Sequence, residues 1–255
     1  DTNAVSLGVG TFPSRIAVNA GSSVHLATQT VYSKLMKLAA AVLQVGEDDL
    51  EMEEGEIRIT GEQGDSVTFS ELASMMNGVP GFKLPDGIEA GLEATHYFQP
   101  SQAAYANGSH VAEVEVDIET GAVKILRYVV AHDCGNLINP LIVDGQVQGG
   151  VAHGIGNALL EHLYYDENAN PLTTTFSEYL LPTAELVPNV EILHLESPTP
   201  NNPLGVKGAG EGGTLPAAAV IAAAIDNALS PFGVRFKDVP IRPHQIVAAV
   251  NEATN

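Results

Sequence analysis

The sequence predicts an α+β fold, and three observations lead to it. Residues 22–45 carry a helical stripe, residues 111–131 read as a β-hairpin, and a glycine-studded helix follows at about 141–162. No regular strand–helix–strand rhythm links these elements, which separates the chain from the doubly wound α/β class. The 255 residues are 45% hydrophobic and 16% charged, enough for one sizeable core or two modest ones.

Each element has a local reason. Ser22 or Ser23 offers an N-cap for the first helix, and Val24, Val31, Leu35, Leu38 and Val42 supply its apolar stripe until Gly46 stops it. Residues 56–60 and 66–69 read as short strands around a turn at 61–64, and Ser70 to Met76 as a short helix. Proline and glycine from Val79 to Asn107 indicate an irregular linker. Val111 to Ile118 alternates Val and Ile with Ala, Glu and Asp, then Glu119-Thr120-Gly121 turns the chain into Ala122 to Ala131. Gly121 is placed to supply the left-handed turn residue.

Asp133 to Pro140 reads as a loop, and Leu141 to His162 as a helix holding Gly145, Gly149, Gly150, Gly154 and Gly156. Each helical glycine costs roughly 1 kcal/mol relative to alanine, a cost accepted where another backbone or a cofactor lies against the helix. Strands are expected near 163–166, 172–180 and 190–197. Pro216 to Leu229, capped by Thr214, and Pro243 to Val250 complete the set as helices.

The formal charge, 11 − 31 = −20, argues against nucleic acid and anionic membrane surfaces as partners. No apolar run reaches the ~18–20 residues of a membrane span. One cysteine, Cys134, excludes an internal disulfide framework and fits a cytoplasmic, reducing compartment. Acidic runs at 47–49 and 51–56 read as a solvated face. The opening Asp1-Thr2-Asn3 reads like the middle of a polypeptide, so a processed chain, a fragment or one piece of a divided subunit is expected.

The most informative stretch is Gly205-Val206-Lys207-Gly208-Ala209-Gly210-Glu211-Gly212-Gly213-Thr214. Dense glycine lets backbone approach a ligand closely. A single carboxylate in such a loop is a candidate general base, and the alternative is a glycine-rich turn before a helix. Lys207 comes too early for a P-loop, and no Gly-x-Ser-x-Gly elbow appears. His132, Asp133 and Cys134 are consecutive and alternate in direction on an extended chain, a poor metal site. His153 and His162, nine apart on the expected helix, are too distant for one ion. Gln146, on the glycine-studded helix, offers two donors and an acceptor, suited to an oxo ligand or a polar heterocycle. It reads equally as a surface glutamine.

Three segments together resemble the molybdenum hydroxylases, the family of xanthine dehydrogenase, aldehyde oxidase and aerobic carbon monoxide dehydrogenase. Asp1-Thr2 with Gly10-Thr11-Phe12-Pro13-Ser14-Arg15 resembles the loop along the molybdopterin cofactor. His132 to Pro140, continued by Asp144-Gly145-Gln146-Val147-Gln148-Gly149-Gly150, resembles the loop and helix of the active-site glutamine. Gly205 to Gly213 resembles the segment of the catalytic glutamate. Order and spacing agree over essentially the whole chain.

The resemblance implies the C-terminal molybdopterin-binding region of the large subunit over residues 1–255, with long helices packed on mixed sheets and two lobes at approximately 1–105 and 106–255. The family's upstream cofactor loop and its substrate-side loop are not in the sequence. The implied partners are therefore an upstream molybdopterin-binding chain or segment, an iron–sulfur subunit and an FAD subunit. The implied cofactor is a molybdopterin-type molybdenum cofactor in the cytosine dinucleotide form. In the family a metal-bound hydroxide attacks an electron-poor carbon while hydride passes to the metal centre. Glu211 would take the hydroxide proton, and burial in a glycine-walled pocket is expected to strengthen it as a base. Gln146 would donate to the apical oxo group. Thr11, Phe12, Pro13, Ser14, Arg15, Ile16, Lys207 and Gly208 would hold the cofactor, although Ile16 stands where relatives often carry a hydroxyl. The implied substrate is a small molecule: an aldehyde, a purine, another N-heterocycle or CO. The alternatives are a non-catalytic assembly subunit or metal-free remnant of the same fold, and a hydrolase using Glu211, for which no nucleophile is evident.

Overall fold

The computed structural model describes residues 3, 10–12, 14–61, 65–77, 80 and 83–255. Asp1, Thr2 and Pro13, all named above, lie outside the described residues. The described residues form two compact units, one of residues 19–99, the other of residues 100–255 with the segment ending at Val18.

In the smaller unit α1 (Ser22–Leu43) and α2 (Phe69–Met76) accompany an antiparallel meander of β1 (Leu50–Glu53), β2 (Glu56–Ile59) and β3 (Ser66–Thr68). Leu38, Ile57, Leu72 and Met76 are its buried centre. Neither serine caps α1. Ser23 Oγ donates back to the Asn19 carbonyl inside a π-turn over Ala17–Gly21, and Val24 is exposed. The helix stops at Leu43, where Gln44 takes a left-handed conformation with φ of 58°, ahead of Gly46. The acidic run 51–56, expected to be a solvated face, contributes strand β1. Arg58 on β2 bonds Glu51 at 2.8 Å and pairs with Glu53, so a cross-strand cation offsets the like charges. Thr68 and Glu71 form a reciprocal capping box at the start of α2.

The larger unit holds a three-stranded sheet in the order β4-β5-β6, from β4 (Asn107–Val116), β5 (Val123–Asp133) and β6 (Val190–His194). The expected hairpin is β4–β5, antiparallel with a bulge at Glu113/Val114. Its turn holds Gly121 at φ of 73°, and Asp117 Oδ1 accepts the Glu119 and Thr120 amides at 2.8 and 3.2 Å. β6 runs parallel to β5, with α3 (Pro140–Leu159) as the crossover, so one strand–helix–strand unit sits inside the α+β frame.

The expected strands at 163–166 and 172–180 do not form. Tyr165 and Pro171 make an isolated bridge around a turn in which Asp166 Oδ1 takes the Asn168 and Asn170 amides, both at 2.8 Å. Glu178 Oε2 takes the Thr174 and Thr175 amides at 2.9 and 3.0 Å. Side-chain carboxylates thereby satisfy donors that a strand ladder would need. His162 falls outside α3, stacked on Tyr164 with ring centroids 4.0 Å apart, and His153 is exposed.

α4 (Ala217–Ala228) and α5 (Pro243–Thr254) complete the unit. Tyr128, Val147, Val151, Ile155, Ile221, Ile225 and Ile246 form its core. Thr214 does not cap α4; its hydroxyl donates to the Gly150 carbonyl at 3.0 Å, tying the preceding loop to α3. Gly150 and Gly154 are where the neighbouring chain comes in. A Cβ on Gly150 would lie 2.7 Å from the Gly213 carbonyl carbon, and one on Gly154 would overlap Ala217.

Candidate active site

The floor of the site is the C-terminal end of β5. His132 and Asp133 alternate across the strand, as adjacent residues must. Asp133 is buried and fully engaged. Its Oδ1 accepts the Gly135 amide at 2.9 Å and the Ser197 amide at 3.2 Å, and its Oδ2 meets Lys207 Nζ at 3.0 Å. Burial pushes this carboxyl up, but the Gly135 amide, the Lys207 ammonium and Ser197 outweigh it and hold the pKa at about 2.

The glycine loop is stitched onto this floor. The Lys207 amide donates to the Cys134 carbonyl at 2.7 Å, and Val206 bridges Gly135. The Asn202 amide group brackets Val206, donating to its carbonyl at 2.8 Å and accepting from its N–H at 3.2 Å. Farther along, Gly212 lies directly on His132, where any Cβ would overlap the imidazole Nε2. His132 is 1% exposed, and neither of its ring nitrogens finds a partner among the described residues.

Gln146 stands in the second turn of α3, whose N-cap Asn139 accepts the Ile142 amide at 3.2 Å, with Pro140 at the first helical position. Two residues before it, Asp144 Oδ1 lies 2.6 Å from His194 Nε2 on β6. The third segment arrives through Ser14, at φ of 61°. Its Oγ donates to Glu211 Oε2 at 3.4 Å. A Cβ on Gly210 would sit 3.1 Å from Ser14 Oγ and 3.7 Å from Gln146 Oε1, and one on Gly208 would sit 2.9 Å from the Ser14 carbonyl oxygen. Three segments spread over nearly 200 positions of sequence thus meet at the Gly210–Glu211 stretch (|i−j| of 197 for Ser14 and Glu211).

Glu211 is exposed, contrary to the expected glycine-walled burial: Gly212 and Gly213 pack onto His132 and Val147, and Gly208 and Gly210 onto Ser14, so no glycine wall closes around the carboxylate among the described residues. Gln146, Thr11, Phe12, Arg15 and Ile16 are exposed as well, Ser14 and Gly208 are half-buried, and Lys207 turns inward to Asp133. Sequence reading missed Asp133 as the partner of Lys207 and His132 as the support beneath Gly212. The contacts span 74 and 80 positions, and no local pattern announces them.

The family model for the molybdopterin cofactor-binding domain matches residues 1–188. The chain belongs to that family. This molybdopterin-binding chain is 40% identical over 242 residues to the nicotine 6-hydroxylase large subunit of Paenarthrobacter nicotinovorans, covering 95% of itself and 30% of that protein. It is 33% identical to the carbon monoxide dehydrogenase large chain of Hydrogenophaga pseudoflava, covering 99% of itself and 31% of that chain. Among solved structures, quinoline 2-oxidoreductase from Pseudomonas putida 86 matches with a TM-score of 0.86 and 37% identity over 96% of the chain. The carbon monoxide-reduced Cu,Mo-CO dehydrogenase matches with a TM-score of 0.86 and 30% identity over 99%. The molybdopterin-binding chain spans about a third of the length of these relatives, 31% of each of the two solved chains. The match establishes the α+β fold of the molybdenum hydroxylase large subunit.

The residues suit such a cofactor. Gln146, Ser14 and Arg15 supply donors for an anionic, oxygen-rich group. Gly145 and Gly149, which flank Gln146 on α3, have nothing among the described residues within 4 Å of a Cβ position, leaving bare helix beside it.

Proposed function

We propose that this chain is the cofactor-binding portion of a molybdenum hydroxylase catalytic subunit, with Glu211 as general base and Gln146 as the amide that orients the metal's oxo face. The observation that carries the reading is the meeting of Ser14 Oγ with Glu211 Oε2 at 3.4 Å, on a loop whose Gly210 borders both Ser14 and Gln146. Thr11, Phe12, Pro13, Ser14, Arg15, Ile16 and Gly208 would hold the molybdopterin, in its cytosine dinucleotide form, and Lys207 would contribute through its backbone. When bound, that cofactor supplies two-electron oxidation of a substrate carbon, with oxygen drawn from water.

The work of the chain's own residues is proton handling and placement. Glu211 takes a proton at Oε1 while Ser14 orients the carboxylate through Oε2. Gln146 donates from Nε2 toward the cofactor oxygen. Phe12, 66% exposed, would offer an apolar surface on the same segment as Ser14. N-heterocycles are the favoured substrate class, supported by relatives that include a nicotine hydroxylase and a quinoline oxidoreductase. Aldehydes, purines and CO remain within the same reaction class. Electrons would leave through iron–sulfur clusters and FAD on partner subunits. The lone, buried Cys134 thiol supports a cytoplasmic setting.

Glu211→Gln in the full-length subunit, assembled with its partners, tests the assignment. Turnover per bound molybdenum is expected to fall at least ~10²-fold with metal content retained. A near-normal rate removes Glu211 from the mechanism.

A further inference from the structure

The loop that carries Glu211 has an unusual construction problem. Five glycines in nine residues confer wide backbone freedom, yet a general base must be held in one place. The far end is pinned by the Thr214–Gly150 hydrogen bond and by Gly213 against Val147. The near end converges on a single buried group. Asp133 ties the end of β5, the Ser197 segment after β6 and Lys207 to one carboxylate, and both members of the pair have side chains 10% exposed. The Lys207 backbone amide is bonded to the same strand end, so the residue is held at both its main chain and its ammonium.

We propose that the buried Asp133–Lys207 ion pair is the positioning element of the Glu211 loop, and that the Lys207 side chain serves the site through Glu211 rather than by touching the cofactor.

Two physical points support this. Burying an ion pair costs desolvation that its attraction seldom repays, so such a pair is weak evidence for stability and is better explained by the geometry it specifies. The pair also cancels charge, so that no unpaired ammonium is left buried under the glycine loop. The groups on the faces around the pair are His132 and Cys134 on its own strand end and Glu196 beside Ser197, while Ser14 borders Glu211 and Gln146 borders Gly210. None of these besides Asp133 is bonded to the ammonium among the described residues.

The inference rests on Glu211 being the base, and a double-mutant cycle separates the two ideas. In the assembled full-length enzyme, Lys207→Met is expected to lower kcat per bound molybdenum by about 10²-fold, the scale of an ångström of misplacement, with KM and metal content unchanged. In a Glu211→Gln background the same substitution is expected to cause little further loss. Asp133→Asn, which keeps its shape and an acceptor for backbone amides, provides the second variant if Lys207→Met does not assemble, and the same pattern is expected of it. Loss of molybdenum from Lys207→Met overturns the proposal in favour of direct cofactor contact. An equal loss in both backgrounds overturns it in favour of a general structural role. A near-normal rate for Glu211→Gln alone takes down the base assignment and, with it, this inference.

Discussion

His132 is the residue at which packing, charge and site meet. It is buried beneath Gly212 with both ring nitrogens unpaired among the described residues, and burial, aided by nearby His194, holds its pKa below the usual imidazole value. A histidine whose folded pKa is depressed stays neutral in the fold while the unfolded chain gains a proton. Its contribution is therefore complete above about pH 6.5 and is lost as pH falls below it. Unfolding free energy is expected to decline between about pH 7 and pH 5, and His132→Leu should flatten that slope in denaturant titrations at each pH. Asp133 behaves in the same direction at lower pH. Its carboxyl sits at about 2 against an ordinary aspartate value of about 3.8, so its stabilisation is present above the unfolded value and disappears as pH falls toward 2. Gly212→Ala tests the contact itself. The added methyl must displace His132 or the loop, and a loss of about 1–3 kcal/mol is expected from thermal unfolding.

The glycines of α3 divide into two kinds. Gly150 and Gly154 receive the chain leading into α4, while Gly145 and Gly149, on either side of Gln146, meet no described residue. Gly149→Ala meets nothing among the described residues and raises helix propensity. It is expected to stabilise the chain by up to about 1 kcal/mol in a thermal melt. If the bare face receives the cofactor, the same substitution should lower molybdenum content in the assembled enzyme, a combination of opposite effects that no purely helical role produces. The β5–α3–β6 unit also explains why the functional residues cluster: Asp133 ends one strand, Gln146 lies near the start of the crossover helix, and Ser197 follows the second strand. Loop-borne residues at the carboxyl ends of parallel strands are a recurring location for ligand chemistry.

At the scale of the whole molecule, the chain leaves large apolar side chains uncovered while matching only about a third of its relatives' length. Tyr97 is 94% exposed, Leu141 81%, Phe176 79% and Leu215 79%. Leu141 lies five positions before Gln146 and Leu215 four after Glu211, so two of these exposed apolar side chains are carried by the segments that hold the site residues. If the proposed upstream chain or segment packs on these side chains, hydrogen exchange around residues 141 and 215 is expected to slow when it is co-expressed, and unchanged exchange would argue against that packing. No helix among the described residues is long and apolar enough to cross a membrane.

The amino-acid sequence by itself determined the α+β class, the β4–β5 hairpin, the glycine-bearing helix and the family. These rest on local signals: strand alternation, a left-handed turn glycine, helical periodicity and short motifs in a fixed order. It could not show that segments 163–166 and 172–180 are turns, since the decision belongs to Asp166 and Glu178 capturing local amides. Nor could it show that Lys207 is turned toward Asp133, that Glu211 is open to solvent here, or that Gly212 must be glycine because His132 is beneath it. Those facts depend on which side chains come together across 70 to 200 positions, and only the packed chain decides that.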